Sequence, residues 1–485
     1  MERVLIDGVP VFWARGPEPL TAALLFGCGG RDETFRTIGI THLVEHLTMG
    51  SLPRVHHDRN ASVDLDVTIF TATGRPDQVV TFLDGVCRTL ADLPTDRIDK
   101  EAGVLTAEGG NYTDPTSAAL YSQRLGVQGA GLAPWAGPGY DRLSAEQVRA
   151  HAARFFVAGN AALVLTGPPP ADLRLPLPPG PRPEHLLPEP MPTAGPVWFE
   201  HVVAEVGVSL LGTGGPVWAQ GMEVLSERLE QIARHTHGLS YEVGGDVVPL
   251  DRDRRIFTLT VDAREGQEAE VAGLLWTELR RMADEGPTGA ELADRCEAAR
   301  ELADDPRAVE PELLDAAVRE LFGMAYQDPA TRLAQRSRVT PEEVRAAFRE
   351  ALSTAQLVVP CGVAPDLPGL AEGGCRRDRQ EPTGRVFRPP LLAKVLTKDA
   401  RGLRLILTDD GVALRDPDGD VHRIRFSEVV GVEEDGAGRT VFGLHGCQVP
   451  VDPELFKGAE AAVRAVDAAV PAALRYRRSE LVNLD

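Results

Sequence analysis

Lysine is scarce in this chain. Lys100, Lys394, Lys398 and Lys457 are four among 51 basic residues, so nearly all positive charge is arginine. Together with the excess of Ala, Gly and Pro, this reads as the usage of a GC-rich genome and carries no functional signal. Positive charge is also outweighed, because 72 acidic residues leave a net charge of −21. That balance argues against nucleic acid and anionic membranes as partners. It is compatible with basic peptides if carboxylates line a working cavity, although a solvated acidic surface accounts for it as well.

Cysteine is sparse and unpaired in sequence. Cys28, Cys87, Cys296, Cys361, Cys375 and Cys447 are scattered and form no Cys-x-x-Cys, which argues against a cysteine zinc site and a disulfide framework. Most are expected as small core residues. No apolar run approaches the roughly 18 residues of a membrane span. Nor does Met1-Glu-Arg-Val-Leu-Ile-Asp-Gly8 show a basic segment leading into a long apolar stretch. No membrane insertion, no signal peptide and a cytoplasmic location are therefore expected.

What is present describes a globular protein, with 43% apolar and 25% charged residues. The 485 residues suffice for about three domains. Residues 1–170 read as one α/β unit. Its β-like runs are Val4–Ile6, Val11–Ala14, Thr21–Phe26, Val67–Thr73 and Ala161–Thr166, with helical stripes over Gln78–Asp92 and Asp96–Thr106. Ser144-Ala-Glu-Gln147 has the form of a capping box. Residues 171–195 are Pro-rich and mark a semi-extended linker that packs poorly.

Residues 196–364 repeat the style of the first unit. Strand Ala204–Leu211 precedes helix Gln220–His235, a strand pair at Ser240–Val248 and Arg255–Val261, and helix Glu265–Glu285. Two more helices and strand Gln356–Pro360 complete the unit, and duplication is the expected origin. A second linker spans 365–390. Residues 391–485 carry six short β-like runs and one helix, Lys457–Val470, in the pattern of a small barrel similar to a pleckstrin-homology domain. The expected class is α+β: two related units, each an antiparallel sheet flanked by helices, plus a C-terminal β-barrel.

The chemistry concentrates in Gly39-Ile-Thr-His42-Leu-Val-Glu45-His46. Histidines at i and i+4 share one helical face, close enough to share a metal. Glu45 precedes the second histidine, so its carboxylate reaches the same space. His-x-x-Glu-His is the zinc-binding order of inverzincin peptidases. Alone, the run also fits two helix-face histidines beside a solvated glutamate. A catalytic zinc needs a third protein ligand and an open position. Glu101 and Glu108, seven positions apart on one helical face, both qualify by spacing, and both also fit as solvated helix residues.

In these residues the chain resembles the pitrilysin/insulinase family of zinc metallopeptidases, which includes the mitochondrial processing peptidases. The resemblance spans about residues 1–364. It rests on Gly27 and Arg31-Asp-Glu33 before the zinc helix, on the His42–His46 run, on Asn60-Ala61, Asp66, Thr68 and Phe70, and on Glu101 and Glu108. Arg228, Arg234 and Gly238-Leu-Ser-Tyr241 match the family's Arg and Gly-Leu-x-Tyr signature. The resemblance implies Zn²⁺ held by His42, His46 and Glu108, Glu45 as general base, and Glu101 as a supporting carboxylate. It implies Asn60 and Ala61 on a peptide-binding edge strand, and Arg234 and Tyr241 steadying the developing oxyanion. Arg228 reads as a solvated helix residue. His235 and His237 read as packing or solvent-facing, and His56-His57 stays unassigned.

The chain departs from the family in a shorter interval between Gly50 and Asn60, and in Val63 where the family has threonine. The family encloses peptide substrate between two halves, with the zinc helix and the Arg/Tyr pair in opposite halves. This chain supplies one half, so a homodimer is expected, a heterodimer with a related chain being the alternative. The expected activity is zinc-dependent endopeptidase. The rival reading is a catalytically inactive partner subunit.

Overall fold

The run Leu20-Thr-Ala-Ala-Leu-Leu-Phe26 is apolar nearly throughout, and such a run is stable as a strand only where both sheet faces are covered. The computed structural model shows how that cover is supplied. It describes all residues except 110–111, 186, 194, 237, 240–241, 252, 375–379, 391–400 and 480–485, and omits the side chains of 234–236.

The first unit runs β1 (Glu2–Ile6), β2 (Val9–Trp13), β3 (Leu20–Phe26), α1 (Ile40–Met49), β4 (Asp58–Val63), β5 (Thr68–Gly74), α2 (Pro76–Ala91), α3 (Ile98–Glu108), α4 (Pro115–Leu125), α5 (Ala145–Phe155) and β6 (Ala161–Leu165). The sheet order is β1-β2-β6-β3-β5-β4. Ser144 caps α5 with the expected box, its Oγ accepting from Gln147 N–H at 3.2 Å.

The second unit runs β7 (Val197–His201), β8 (Val206–Thr213), α6 (Pro216–Leu229), β9 (Val243–Pro249), β10 (Arg254–Val261), α7 (Glu268–Asp284), α8 (Gly289–Asp304), α9 (Val309–Leu321), α10 (Pro329–Arg336), α11 (Pro341–Leu352), β11 (Gln356–Pro360) and β12 (Ala371–Glu372). Its sheet order is β12-β7-β11-β8-β10-β9. Five strands, β2-β6-β3-β5-β4 and β7-β11-β8-β10-β9, therefore repeat the same order. The senses repeat too: β2 with β6 and β7 with β11 are the parallel pairs, and the rest of each five-strand set is antiparallel. The duplication expected from sequence is a duplication of topology.

Each sheet has its own helices on one face and a borrowed helix on the other. Leu313, Ala316, Ala317 and Leu321 of α9 bury against Phe12, Ala23, Leu25, Ala162 and Val164 of the first sheet. Ala119 and Leu120 of α4 reciprocate against Phe199 and Val358 of the second. Arg124 of α4 is buried with them, donating through Nη2 to the Ser209 and Thr354 carbonyls at 2.8 and 3.0 Å. Burial pulls its guanidinium down to about 9.

Three expectations change. Between β10 and β11 the second unit has five helices, two more than read from sequence. The Pro-rich segment 171–195 does pack: Leu173 and Leu175 are buried in the first core, and Leu175 N–H donates to Asp7 Oδ2 at 2.8 Å. Arg228 is not solvated, because its Nε and Nη2 grip the Glu291 carboxylate at 2.7 and 2.9 Å.

The C-terminal unit starts before residue 391, with β13 (Arg385–Phe387). It continues through β14 (Arg404–Leu407), β15 (Gly411–Arg415), β16 (Val421–Arg425), β17 (Val429–Asp435), β18 (Gly438–Gly443), β19 (Gln448–Val451), α12 (Glu460–Ala469) and β20 (Arg475–Tyr476). Two four-stranded sheets, β13-β14-β15-β16 and β19-β18-β17-β20, enclose one core. Into that core α12 sets Ala462, Val463 and Val466. The unit docks on the first through an aromatic cluster. Phe35 lies 4.9 Å from Phe442, 5.9 Å from Trp135 and 6.1 Å from Tyr476, centroid to centroid. Each such aromatic pair contributes about 0.5–1.5 kcal/mol beyond its buried area. Among the described residues no helix is long and apolar enough to cross a membrane.

Candidate metal centre

Helix α1 buries Ile40, Leu43, Val44 and Leu47 in the first core and turns His42 and His46 away from it. Its N-terminus lacks a capping side chain. Gly39 holds that position in the left-handed region, φ 87°, where a Cβ would meet the Tyr140 ring at 2.2 Å. Glycine is therefore required there, and it has nothing with which to cap the orphan N–H groups. Glu33 supplies the missing acceptor from six residues upstream. Its Oε2 accepts from Gly39 N–H at 2.8 Å, and its Oε1 from Thr41 N–H at 2.9 Å. Tyr112 O–H donates to the same Oε1 at 2.8 Å. A carboxylate at a helix N-terminus also complements the helix dipole.

Burial pushes the Glu33 carboxyl up to about 7, against the pull of these donors. A folded-state value above the unfolded one favours the protonated native state, so this contribution to stability falls as pH rises from about 4.5 to 7. Neutral Glu33→Gln has no such slope. The stability difference, wild type minus Glu33→Gln, is expected to fall across that window by up to about 3 kcal/mol, at about 1.4 kcal/mol per pH unit. Urea denaturation of both proteins at several pH values checks this, and parallel pH profiles would refute it.

Four sequence-predicted residues converge. His42 and His46 rings pack edge to face at 4.9 Å, centroid to centroid. Each Nε2 lies 3.7 Å from Glu45 Oε2. Glu108, the last residue of α3, places Oε2 3.3 Å from His46 Nε2. One donor atom from each of His42, His46 and Glu108 lies within 4.8 Å of the others. Tetrahedral zinc ligands at about 2.0–2.2 Å sit roughly 3.4 Å apart, so this donor set fits the ion after small side-chain shifts.

The two glutamates of α3 are distinguished by surroundings. Glu101 is buried: its Oε1 accepts from Arg97 Nη2 at 2.8 Å, and its Oε2 stands 3.9 Å from His46 Nδ1. Burial raises its pKa, but the Arg97 hydrogen bond and the Lys100 and Arg97 charges hold it below the usual carboxylate range. Glu108 is half exposed. Burial, then repulsion from Glu108 and Glu101, pushes Glu45 up to about 8. Burial, then His46, pulls His42 down to about 4, which keeps its imidazole neutral as a metal ligand must be.

Asn60 and Ala61 lie on β4, the outermost strand of the first sheet, paired with Thr71 and Phe70 of β5. Among the described residues the other edge of β4 pairs with no strand. The side chain of Arg234 and the whole of Tyr241, like His237, lie outside the described residues. The backbone around Arg234 is a π-helix, Glu230–Thr236, continuing α6. Beyond it Gly238 lies in the left-handed region, φ 64°, and Leu239 N–H reaches back to the Ala233 carbonyl at 2.8 Å.

No family model and no curated protein matches the chain. Solved structures do. An inactive domain of peptidase M16 from Pseudomonas fluorescens superposes with TM-score 0.56 at 17% identity, over 76% of this chain and 99% of that one. The fold is that of the M16 peptidases. A protease from Helicobacter pylori shares this M16-like fold with TM-score 0.57 at 15% identity, over 74% and 98% of the two chains. So does a chain of complex III2 from Candida albicans, with TM-score 0.58 at 14% identity, over 74% and 95%. This is the fold expected from the pitrilysin/insulinase resemblance.

Glu33, Thr41 and Tyr112 were not singled out as a network from sequence. The available signal was the glycine at residue 39, which leaves helix α1 without a capping side chain and so calls for an acceptor from elsewhere.

Proposed function

We propose that the protein is a zinc-dependent endopeptidase acting on peptides or unfolded segments. One observation carries this reading: His42, His46 and Glu108 bring metal-ligating atoms within 4.8 Å of one another, with Glu45 beside both histidines. Zinc bound there would polarise a scissile carbonyl and make water acidic enough to attack it near neutral pH. Glu45 takes the attacking water's proton and returns it to the leaving amine. Glu101 holds His46 in orientation from its far side. The open edge of β4 at Asn60 and Ala61 receives substrate as an added strand, so that backbone hydrogen bonds supply affinity without regard to sequence.

Digestion of a peptide library by wild type and by Glu45→Gln, with cut sites read by mass spectrometry, tests the assignment. The likeness to an inactive M16 domain favours the rival, a partner subunit without catalysis. Under that reading neither protein cleaves.

Arg234 and Tyr241 belong to the second unit. In this reading they complete the zinc site of a partner chain, and a homodimer is the working form. Each mixed dimer of Glu45→Gln and Tyr241→Phe chains then contains one intact site. An equal mixture should recover about a quarter of wild-type activity by random assortment of a two-fold dimer. No recovery in verified mixed dimers would count against shared sites. The two-sheet C-terminal unit closed by α12 supports the pleckstrin-homology-like reading of that segment.

A further inference from the structure

Between the Glu33 anchor and Gly39 runs the short segment Thr34–Ile38, which sets where helix α1 begins. The C-terminal unit grips this segment. Phe35 is 4% exposed, lodged among Trp135, Phe442 and Tyr476. The next residue, Arg36, donates through Nε to the Ala473 carbonyl at 3.0 Å and lays its guanidinium 4.9 Å from the Tyr476 ring centre.

Two glycines show that the fit is built and not a loose collapse. A Cβ on Gly431 of β17 would fall 2.5 Å from the Phe35 ring. A Cβ on Gly126, just after α4, would fall 2.1 Å from the Leu444 carbonyl of the C-terminal unit. Around them the backbones join, Val127 N–H to Leu444 O at 2.8 Å and Ser479 N–H to Pro138 O at 2.9 Å. Had this unit only been tethered to the peptidase fold, nothing would require its contacts to fall on the entry to the helix that carries His42 and His46.

We propose that the C-terminal unit is a positioning element of the metal centre: closed over Phe35, it fixes Thr34–Ile38 and thereby the first turn of the zinc helix. Its effect on catalysis rests on the metallopeptidase reading, and its effect on the helix does not. Phe35, Gly431, Phe442 and Tyr476 are positioning residues, acting through Glu33 and Gly39 on His42.

The test uses the full-length chain with Gly431→Leu, which expels the Phe35 ring, and separately Phe442→Ala, with Phe442→Leu as the conservative rescue. Amide hydrogen exchange over residues 34–43 is measured first. Zinc affinity by chelator competition follows, then kcat and KM on a short quenched peptide at saturating zinc. The proposal expects exchange at residues 34–43 to rise at least tenfold in both disruptive variants. Zinc binding should weaken about tenfold, kcat should fall about tenfold with KM little changed, and Phe442→Leu should recover most of each loss. Faster exchange at 34–38 with unchanged protection at 39–43 and unchanged zinc affinity would overturn it. So would protection at 34–38 that neither substitution alters. If the wild type neither binds zinc nor cleaves, the peptidase reading fails, and exchange at 39–43 alone decides this proposal.

Discussion

Glu45→Gln is expected to slow peptide hydrolysis by about 10²–10⁴-fold, the usual worth of a positioned general base, while leaving zinc bound. The substitution keeps shape and removes only the ability to accept a proton. None of the three proposed ligands is touched, because Glu45 lies beside His42 and His46, 3.7 Å from each Nε2, rather than among them. The helix should also stand, since the amide keeps the length, shape and hydrogen-bonding capacity of the side chain. Zinc stoichiometry by atomic absorption and single-turnover cleavage of a quenched peptide read the two effects separately. Near-normal hydrolysis by the zinc-loaded variant would remove Glu45 from the mechanism.

The second large effect is on the metal itself and separates the two glutamates of α3. Glu108→Ala should lose stoichiometric zinc at micromolar concentration, because it removes one of the three proposed ligands. Glu101→Gln should weaken binding by roughly 10–100-fold, the cost of losing a carboxylate that orients a histidine ligand. The geometry sets this order: Glu108 reaches Nε2 of His46 at 3.3 Å, on the side of His42, whereas Glu101 stands 3.9 Å from Nδ1 across the ring, tied to Arg97. Zinc titration of both variants checks the order. If Glu101→Gln released the metal and Glu108→Ala kept it, the third ligand would be Glu101.

What was legible in the sequence follows physical range. Helix α1 announces itself because its candidate chemistry is local: His42, Glu45 and His46 lie within two helical turns. Glu108 was found through spacing to Glu101 and through family resemblance, both of which act along the chain. The Glu33 cap and the Phe35 clasp join segments across a turn and across units, so no periodicity records them. Arg228 was misread for the same reason, its partner Glu291 being 63 positions away. Leu173 and Leu175 were hidden among prolines, where composition speaks for an extended chain and says nothing about what an extended chain rests on.

The exchanged helices have a consequence for how the protein is made. Strand β6 completes the first sheet at Leu165, but the helix that covers its second face does not begin until Val309. Throughout synthesis of the stretch between them, Phe12, Ala23, Leu25, Ala162 and Val164 form an apolar plane with no permanent cover. Such a plane invites pairing with other nascent chains. The second sheet meets no such delay, because α4 is already waiting when β8 and β11 emerge. Folding from the ribosome should therefore pass through a state in which the first unit is assembled and still sticky, and its yield should depend on chaperone supply more than on the stability of the finished protein.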